Sequence, residues 1–294
     1  MSKSFKHIPV MLEESLSFLN IKEDLTYIDA TLGMGGHSKA ILERYPNIKI
    51  IGIDRDSRSL EIAKENLKPF SRRIDFINSR FSKLNEIINE YKTQNIKIGG
   101  VLLDLGISSF QLEDEYYGLS FKKNINDIEL NMKLDSWCNS SAAEILNKKT
   151  EKEIADIFFF NADYKKSRAL ARLVVKNRPL NKLKDFINLC SFSSNPKINS
   201  ATLPLMALRI EVNDEFNEIK KGLRGAIEAL EQNARIVVLS FHSGEDRIVK
   251  NIFKENSCLE ILTNKPLIPS LAEIKNNPRA RSAKLRAVEK NKND

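Results

Sequence analysis

Apolar residues in the first third of the chain fall into short, strand-like runs separated by stretches of helical periodicity. The pattern predicts strands at 27–31, 48–54, 73–78 and 100–105, and helices at 36–45, 57–67 and 82–92. The last of these strands is nearly all apolar, as a strand covered on both faces of a parallel sheet should be. Strands and helices in this alternation predict a doubly wound α/β sheet.

The alternation stops after Ser109. Residues 110–136 are polar and irregular, Ser141 and Glu144 then form a capping-box pattern, and helical periodicity continues to about residue 190. The chain is therefore predicted to contain two domains, a core of 1–109 and 206–294 and a mostly helical insertion of 110–205.

The strand–helix alternation returns in the last third of the chain. The predicted elements are helix 215–232, strand 235–241, helix 244–254, and strands 258–263 and 282–288. The last two strands have the pattern of an antiparallel pair. A parallel sheet completed by an antiparallel terminal hairpin is typical of Rossmann-like methyltransferases rather than of dehydrogenases.

Composition narrows the class of protein further. The 294 residues are 41% hydrophobic and 29% charged, with a formal net charge of +8, which fits a polyanionic partner. The three cysteines form no C-x-x-C, which argues against a disulfide framework or a thiolate metal site, and no other cluster has metal-ligand spacing. No apolar run approaches 18 residues and no signal sequence is recognisable, so we expect a cytoplasmic protein that does not associate with membranes.

The strongest chemical signal is the stretch Tyr27–Leu42, in which a strand turns through glycines into a helix. Loops of this kind present bare backbone N–H groups to an anionic ligand, and Gly33, Gly35 and Gly36 supply them here. The spacing is G-x-G-G-H-S, so Ser38 occupies the position of the third glycine in the dinucleotide fingerprint.

An acid follows this loop at an informative distance. Asp54 closes the second strand 21 residues after Gly33, where a carboxylate commonly binds ribose hydroxyls. Together the loop, its helix, the second strand and this acid predict a nucleoside-cofactor site. A dehydrogenase would carry the same features, but the missing third glycine and the antiparallel ending disfavour it.

Polar side chains also follow the fourth and fifth strands. Asp104 and Ser108 fall at the carboxyl edge of the sheet, just beyond which ligands of open α/β sheets bind. A carboxylate is costly to bury there unless something accepts its charge or its hydrogen bonds, although it could simply cap the next segment. His242 is the second candidate, whereas Glu245 and Asp246 are equally well explained as first-turn acids of a helix.

Two stretches of the chain are rich in basic residues. Residues 164–184 contain eight Lys or Arg and no acid, and 277–286 contain four more. One such run is usually a solvated face, but two runs beside a nucleoside site favour phosphate contacts with nucleic acid. The candidates are Lys165, Arg168, Arg172 and Lys176, at helical spacing, together with Arg279 and Arg281.

These motifs together resemble the bacterial 16S ribosomal RNA (cytosine-N4)-methyltransferases, which use S-adenosylmethionine. The matching segments follow the family's order from residue 7 to residue 286: HIPVMLEE, YIDATLGMGGHS, GIDRD, LLDLGISSFQL, GLSF, ALRIEVN, SFHSGEDRIVK and NPRARSAKLR. The resemblance implies a methyltransferase core with a helical insertion beside the methyl-transfer cleft. It also implies a cytidine in the decoding region of 16S rRNA, within the small ribosomal subunit, as substrate. The oligomeric state stays open, with a homodimer as one option.

The resemblance also carries site residues over to this chain. They are Gly35, Gly36 and His37 around the methionine moiety of the cofactor, Asp54 at its ribose, Phe81 beside its adenine, and Asp104 and Gln111 at the remaining cofactor-binding positions. Phe81 and Gln111 come from the resemblance alone.

The chain departs from the family pattern only within the insertion. In the segment 118–135, Asn131 replaces an acid and Lys133 an arginine, and Leu203 replaces the arginine of an Ala-Thr-Arg stretch. Lys133 keeps the charge but loses the planar fork of arginine. These changes bear on substrate recognition, and they support an alternative function as a non-catalytic RNA-binding or ribosome-assembly factor.

Methyl transfer to cytosine N4 would need a proton acceptor, because the N4 lone pair is delocalised into the ring. Asp104, helped by Ser108, is the first choice for that acceptor and His242 is the second. The target base would have to be presented unstacked from its neighbours.

Overall fold

The computed structural model describes residues 9–120, 127–191 and 200–291. They form two compact units, a core unit of the residues up to Ser108 and from Phe216 onward, and an inserted unit from Ser109 to Glu215. The inserted unit runs beyond the predicted end at residue 205, because the helix Thr202–Asn213 packs on other helices of the insertion.

A seven-stranded sheet runs through the core unit in the order β3-β2-β1-β4-β5-β7-β6. Its strands are β1 Thr26–Asp29, β2 Lys49–Asp54, β3 Ile74–Asn78, β4 Ile98–Asp104, β5 Arg235–Ser240, β6 Leu259–Ile261 and β7 Lys284–Lys290. Strands β1 to β5 are parallel to one another, and β7 is antiparallel to both of its neighbours. The predicted doubly wound sheet is confirmed.

Thirteen α-helices are found within the described residues. They are α1 Leu12–Leu19, α2 Gly36–Arg44, α3 Ser57–Asn66, α4 Leu84–Thr93, α5 Ser109–Glu113, α6 Ala142–Lys148, α7 Glu151–Ala162, α8 Ser167–Lys176, α9 Leu183–Cys190, α10 Thr202–Asn213, α11 Glu215–Ala229, α12 Ser243–Glu255 and α13 Leu271–Asn276. None of the helices in this described part of the chain is long and apolar enough for a membrane crossing.

Helices cover the sheet on both faces, and the alternation of side chains along each strand feeds two cores. Val101 and Leu103 of β4 join the core that α4, α11 and α12 cover, while Leu102 between them joins the core under α1, α2 and α3. A strand buried on both faces in this way explains the nearly continuous apolar run in the sequence.

The last strand lies inside the sheet. β7 pairs with β5 from Ser240–Lys284 onward and with β6 on its other side, so the predicted hairpin is present, with its second strand inserted next to β5. Its end is anchored by Lys290, a buried residue whose Nζ donates hydrogen bonds to three carbonyl oxygens at the end of α11. These acceptors are Ile227 at 2.6 Å, Glu228 at 3.1 Å and Leu230 at 2.7 Å.

The inserted unit is mostly helical in its described residues. α7 packs against both α8 and α10, and the fully buried rings of Phe158 and Phe186 lie 6.0 Å apart between centroids. Capping boxes begin α6 at Ser141, as predicted, and α7 at Thr150.

Most differences from the predicted bounds are small and fall at turns. The first strand ends at Asp29 rather than residue 31, because the glycine loop begins to turn there, and α4 begins at Leu84 after a short 3-10 helix Phe81–Lys83. His7 and Ile8 of the first motif, residues 121–126 and residues 192–199 lie outside the described residues.

Candidate active site

The order of the strands creates a crevice at one edge of the sheet. The chain moves outward from β1 to β3 and then returns to place β4 on the other side of β1. The loops that follow the two strands at such a switch point part from each other at the carboxyl edge. Asp29, Asp54 and Asp104 end β1, β2 and β4, so three carboxylates stand along this edge.

Glycines set the path of the loop after β1. Gly33 has a φ of 53° and Gly35 a φ of 84°, a region that residues with a Cβ rarely adopt. A Cβ on Gly35 would also stand 2.6 Å from Leu67 Cδ1. The N–H of Gly33 donates to Asp54 Oδ2 at 2.7 Å, which joins the loop to the end of β2.

Asp54 is held by backbone donors but keeps acceptor capacity. Its Oδ1 accepts a second hydrogen bond, from the N–H of Asp56 at 2.9 Å. Burial raises the pKa of Asp54 to about 6, although these two bonds act in the opposite direction. Each carboxylate oxygen retains a further lone pair, which suits the hydroxyl donors of a ribose.

Ser38 is the hydrogen-bond donor to Asp29, the carboxylate that ends β1. Its buried Oγ donates to Asp29 Oδ2 at 2.7 Å. Burial raises the pKa of Asp29 to about 6, against the effect of this bond and of a weaker one from the N–H of Thr31. Sequence reasoning treated Ser38 only as an absent glycine. The signal it passed over is Asp29, an acid that ends a buried strand and therefore needs a donor.

Of the three carboxyl groups, Asp104 has the surroundings that most disfavour the ionised form. Its backbone N–H donates to Thr31 Oγ1 at 2.6 Å, which fixes the end of β4 beside the glycine loop. The side-chain Oδ1 is buried and accepts no hydrogen bond within the described residues. Burial, together with the charges of Asp29 and Glu245, raises the pKa of Asp104 to about 8. At pH 7 the side chain is therefore mostly protonated.

His37 is an ionisable neighbour of Asp104 but carries no charge at neutral pH. Its Nδ1 lies 3.6 Å from Asp104 Oδ2, and its Nε2 lies 3.0 Å from the carbonyl oxygen of Val10, which assigns the ring proton to Nε2. Burial lowers the pKa of His37 to about 4. The contact is consequently not an ion pair at neutral pH, and His37 places no positive charge next to Asp104.

Glu245 holds the ring of His242 at the end of β5. Its buried carboxylate accepts hydrogen bonds from the N–H groups of Phe241 at 2.7 Å and His242 at 3.2 Å. Its Oε1 lies 3.1 Å from His242 Nε2, and its own N–H lies 3.4 Å from His242 Nδ1. Of the two ring nitrogens, Nδ1 accepts a hydrogen bond from Glu245, whereas Nε2 is buried and makes no hydrogen bond within the described residues. Since Nε2 is buried next to a carboxylate, a substrate does not reach it in this conformation. Glu245 caps the first turn of α12, which is the structural role that the sequence allowed for it, and it also orients His242.

The three remaining predicted site residues, Ser108, Phe81 and Gln111, lie in different surroundings. A Cβ on Gly33 would lie 3.9 Å from Ser108 Cβ, so Ser108 borders the glycine loop. Phe81 packs against Gly222 of α11, where a Cβ would lie 2.6 Å from Phe81 Cδ2. Gln111 is buried within the inserted unit.

The predicted RNA-binding residues are all solvent-exposed: Lys165, Arg168, Arg172, Lys176, Arg279 and Arg281. α8 buries Leu170 and Val174 on its opposite face. Lys165 lies in the turn before α8 rather than on the helix, because the helix begins only at Ser167.

Comparison with known proteins gives a consistent assignment. The chain matches the MraW methylase family over residues 4–291. It is 39% identical over 294 residues to ribosomal RNA small subunit methyltransferase H of Picosynechococcus sp., with 98% of each chain covered. It is 40% identical over 291 residues to the protein of that name from Thermotoga neapolitana, with 96% of this chain and 95% of that one covered.

Among solved structures, the fold is similar to that of an rRNA methylase from Streptococcus thermophilus. The TM-score is 0.46 at 11% identity, with 97% of this chain and 99% of that chain covered. The sequence matches confirm the resemblance drawn from the motifs: the chain belongs to the MraW methylase family, and its cofactor is S-adenosylmethionine.

Proposed function

We propose that this protein transfers a methyl group from S-adenosylmethionine to the exocyclic N4 of a cytidine in the decoding region of 16S rRNA. It would act in the cytoplasm, on the small ribosomal subunit. The names of relatives at 39% and 40% identity support ribosomal RNA as substrate, and the motif resemblance supplies cytosine N4. The observation that carries the proposal is Asp104, whose buried Oδ1 accepts no hydrogen bond from the described residues.

The residues at the carboxyl edge fit a nucleoside with a charged amino-acid tail. Asp54 would accept hydrogen bonds from ribose hydroxyls, and Phe81 would pack on the adenine. Gly36 begins α2, whose N-terminus favours a carboxylate group such as that of the methionine moiety. Asp104 would face the cationic part of the cofactor. When bound, S-adenosylmethionine supplies a methyl group on a sulfonium, an electrophile that needs no further activation.

Cationic ligands would change the ionisation of Asp104. In the free protein burial and neighbouring negative charges raise the pKa of this side chain to about 8. A positive charge placed beside the carboxylate favours the ionised form and lowers the pKa. Binding below pH 8 would therefore expel the proton from Asp104 and leave a carboxylate ready to act as an acceptor.

The carboxylate of Asp104 would then prepare cytosine N4 for attack. A hydrogen bond from N4–H to Asp104 raises electron density on a nitrogen whose lone pair is otherwise spread over the ring. Asp104 would take the proton as the new N–C bond forms, acting as a general base. Ser108, beside the glycine loop, would help orient the amino group. Most of the acceleration would come from holding nitrogen and methyl in line, at about 3–3.5 Å.

The inserted unit would recognise the RNA. Arg168, Arg172 and Lys176 on α8 and Lys165 in the turn before it are exposed and can contact phosphates. Phosphate contacts position a strand without reading its sequence, so the choice of cytidine depends on presenting one unstacked base to the crevice.

The test is methylation of small ribosomal subunits purified from a strain that lacks the protein, with mass spectrometry of the released cytidines. The wild type should add one methyl group at N4. Asp104→Ala should lower kcat by roughly 10²–10⁴-fold, the usual contribution of a general base. Glu90→Ala, at an exposed acid of α4, is the matched control and should keep full activity.

His242→Ala separates the two candidate bases. It should retain more activity than Asp104→Ala, because Nδ1 of His242 already accepts a hydrogen bond from Glu245 and Nε2 is buried next to the Glu245 carboxylate. Near-normal methylation by Asp104→Ala would reject the role given to Asp104. No methylated cytidine with the wild type would reject the function. That result would favour the assembly-factor alternative, which Asn131 and Lys133 support.

A further inference from the structure

Two aromatic side chains stand exposed next to each other near the end of α7. Phe159 is 47% and Phe160 69% exposed, and their rings meet edge to face with centroids 5.3 Å apart. The preceding residue, Phe158, is fully buried against Phe186 and Tyr164. Since Phe158 already anchors this end of α7 in the core, the mostly exposed ring of Phe160 contributes little to the packing of the inserted unit.

The backbone that carries the pair is well ordered by hydrogen bonds. The N–H of Asp163 donates to the carbonyl of Phe159 at 2.8 Å, and the N–H of Tyr164 donates to that of Phe158 at 3.1 Å. The N–H of Ser167 then donates to the Tyr164 carbonyl at 3.1 Å as α8 begins. We call residues 159–172 the tip of the α7–α8 hairpin. In this tip the two rings project from the last turn of α7, whose backbone is fixed by these hydrogen bonds.

The hairpin tip is strongly basic. Its basic residues are Lys165, Lys166, Arg168 and Arg172, all exposed, and its one acid is Asp163. The tip thus has a net charge of +3. The nearest acid upstream in the sequence, Asp156, is paired with Lys152 at 2.8 Å. Arg172 lies 3.8 Å from the exposed Glu151, a distance at which a solvated pair contributes little.

We propose that Phe159 and Phe160 form a stacking platform for unpaired bases of single-stranded RNA, with Lys165 and Arg168 on the neighbouring phosphates. This inference rests on the proposed function, because it states where the RNA substrate is held. Every base has a face that stacks on an aromatic ring, so the platform holds a strand without reading its sequence. A purely phosphate-binding surface would not need the rings, and an apolar protein interface would not need the basic border.

Binding of an unstructured oligoribonucleotide that carries one 2-aminopurine tests the platform directly, using the full-length protein. Stacking quenches the fluorescence of this base, so the wild type should bind with quenching. Phe159→Ala and Phe160→Ala should each weaken binding about tenfold and reduce the quench. Phe160→Trp should restore both. Leu271→Ala, at an 87% exposed apolar residue of α13, is the matched control and should change neither.

Salt dependence separates stacking from charge. The alanine variants of the two phenylalanines should keep the wild-type slope of log Kd against log salt. Lys165→Ala should reduce that slope by about 0.7, the contribution of one phosphate contact in a single strand. Wild-type quenching and affinity in both phenylalanine variants would overturn the platform. So would a loss of dimers on sedimentation with RNA affinity unchanged, which would make the pair an interface between copies of the chain.

Failure of the platform and failure of the proposed function give different results. If the wild type methylates small subunits but the phenylalanine variants bind the oligonucleotide normally, only the platform is rejected. If quenching depends on Phe159 and Phe160 but no cytidine is methylated, the platform stands and the proposed function is rejected.

Discussion

At the scale of single residues, the buried carboxylates at the sheet edge differ in how many donors they receive. Asp54 accepts two backbone N–H bonds and Asp29 accepts the hydroxyl of Ser38, while Oδ1 of Asp104 accepts none from the described residues. A ligand that brings a donor or a positive charge therefore gains most at Asp104. The same residue has the most strongly raised pKa of the three, first because of burial and then because of the charges of Asp29 and Glu245.

Glu245→Gln should reveal this dependence in the pH profile of kcat. The charge of Glu245 helps to raise the pKa of Asp104, so its removal should lower that pKa and move the rise of kcat to lower pH. An amide also presents only one acceptor oxygen to the ring and backbone of His242. We therefore expect the free energy of unfolding to fall by about 1–2 kcal/mol.

A matched control lies at the next position. Asp246 bonds Arg286 at 2.6 Å and Lys284 at 3.3 Å, so Asp246→Asn should also lower stability. It should leave the pH profile in place, because Asp246 does not contribute to the pKa of Asp104. The same profile in both variants would contradict the link between Glu245 and Asp104.

At the scale of elements, the buried ammonium group of Lys290 in β7 caps the carbonyl end of α11. Lys290→Met should keep the volume of the side chain but leave three carbonyl oxygens at the helix end without their donor. We expect the free energy of unfolding, measured in urea, to fall by about 3 kcal/mol. Lys275→Met, at an exposed site of α13, should change it by less than about 0.5 kcal/mol. Equal effects of the two substitutions would show that the buried bonds do not stabilise the fold.

Local patterns were sufficient to locate the strands, because each strand carries apolar residues on one or both faces. They could not give the place of β7 between β5 and β6, which depends on how distant segments pair. The glycine loop and Asp54 were predicted from their spacing alone. The bond from Asp104 to Thr31 joins positions 73 residues apart, so only the sheet order brings them together. The bond between Ser38 and Asp29 is local, but it was not predicted, because Ser38 was interpreted only as a replacement for the third glycine of the dinucleotide fingerprint.

At the scale of the whole molecule, the same acids make stability depend on pH. Asp29 and Asp54 have a pKa of about 6 and Asp104 of about 8 in the folded protein, above the ordinary value near 4. The folded state then binds more protons than the unfolded state, so their contribution is lost as pH rises towards these values. His37 has the opposite effect, but only below pH 6.5, because burial lowers its pKa to about 4.

Between pH 6.5 and 8 Asp104 should therefore dominate. We expect the wild type to lose about 1–2 kcal/mol of unfolding free energy across this range, measured by urea titration. Asp104→Asn should show a flatter curve and greater stability than the wild type at pH 8. Parallel curves for the two proteins would mean that Asp104 is not buried with a raised pKa.

The interior position of β7 has a consequence for how the protein is made. A ribosome releases β5 well before β7, which pairs with it at Ser240–Lys284 and beyond. Until β7 emerges, the nascent chain carries an apolar strand with one row of unpaired amides and carbonyls. Such an exposed border is a template for pairing with other chains. Interrupted synthesis just before β7 would thus release fragments prone to aggregate, although every residue of the crevice between β1 and β4 had already been synthesised.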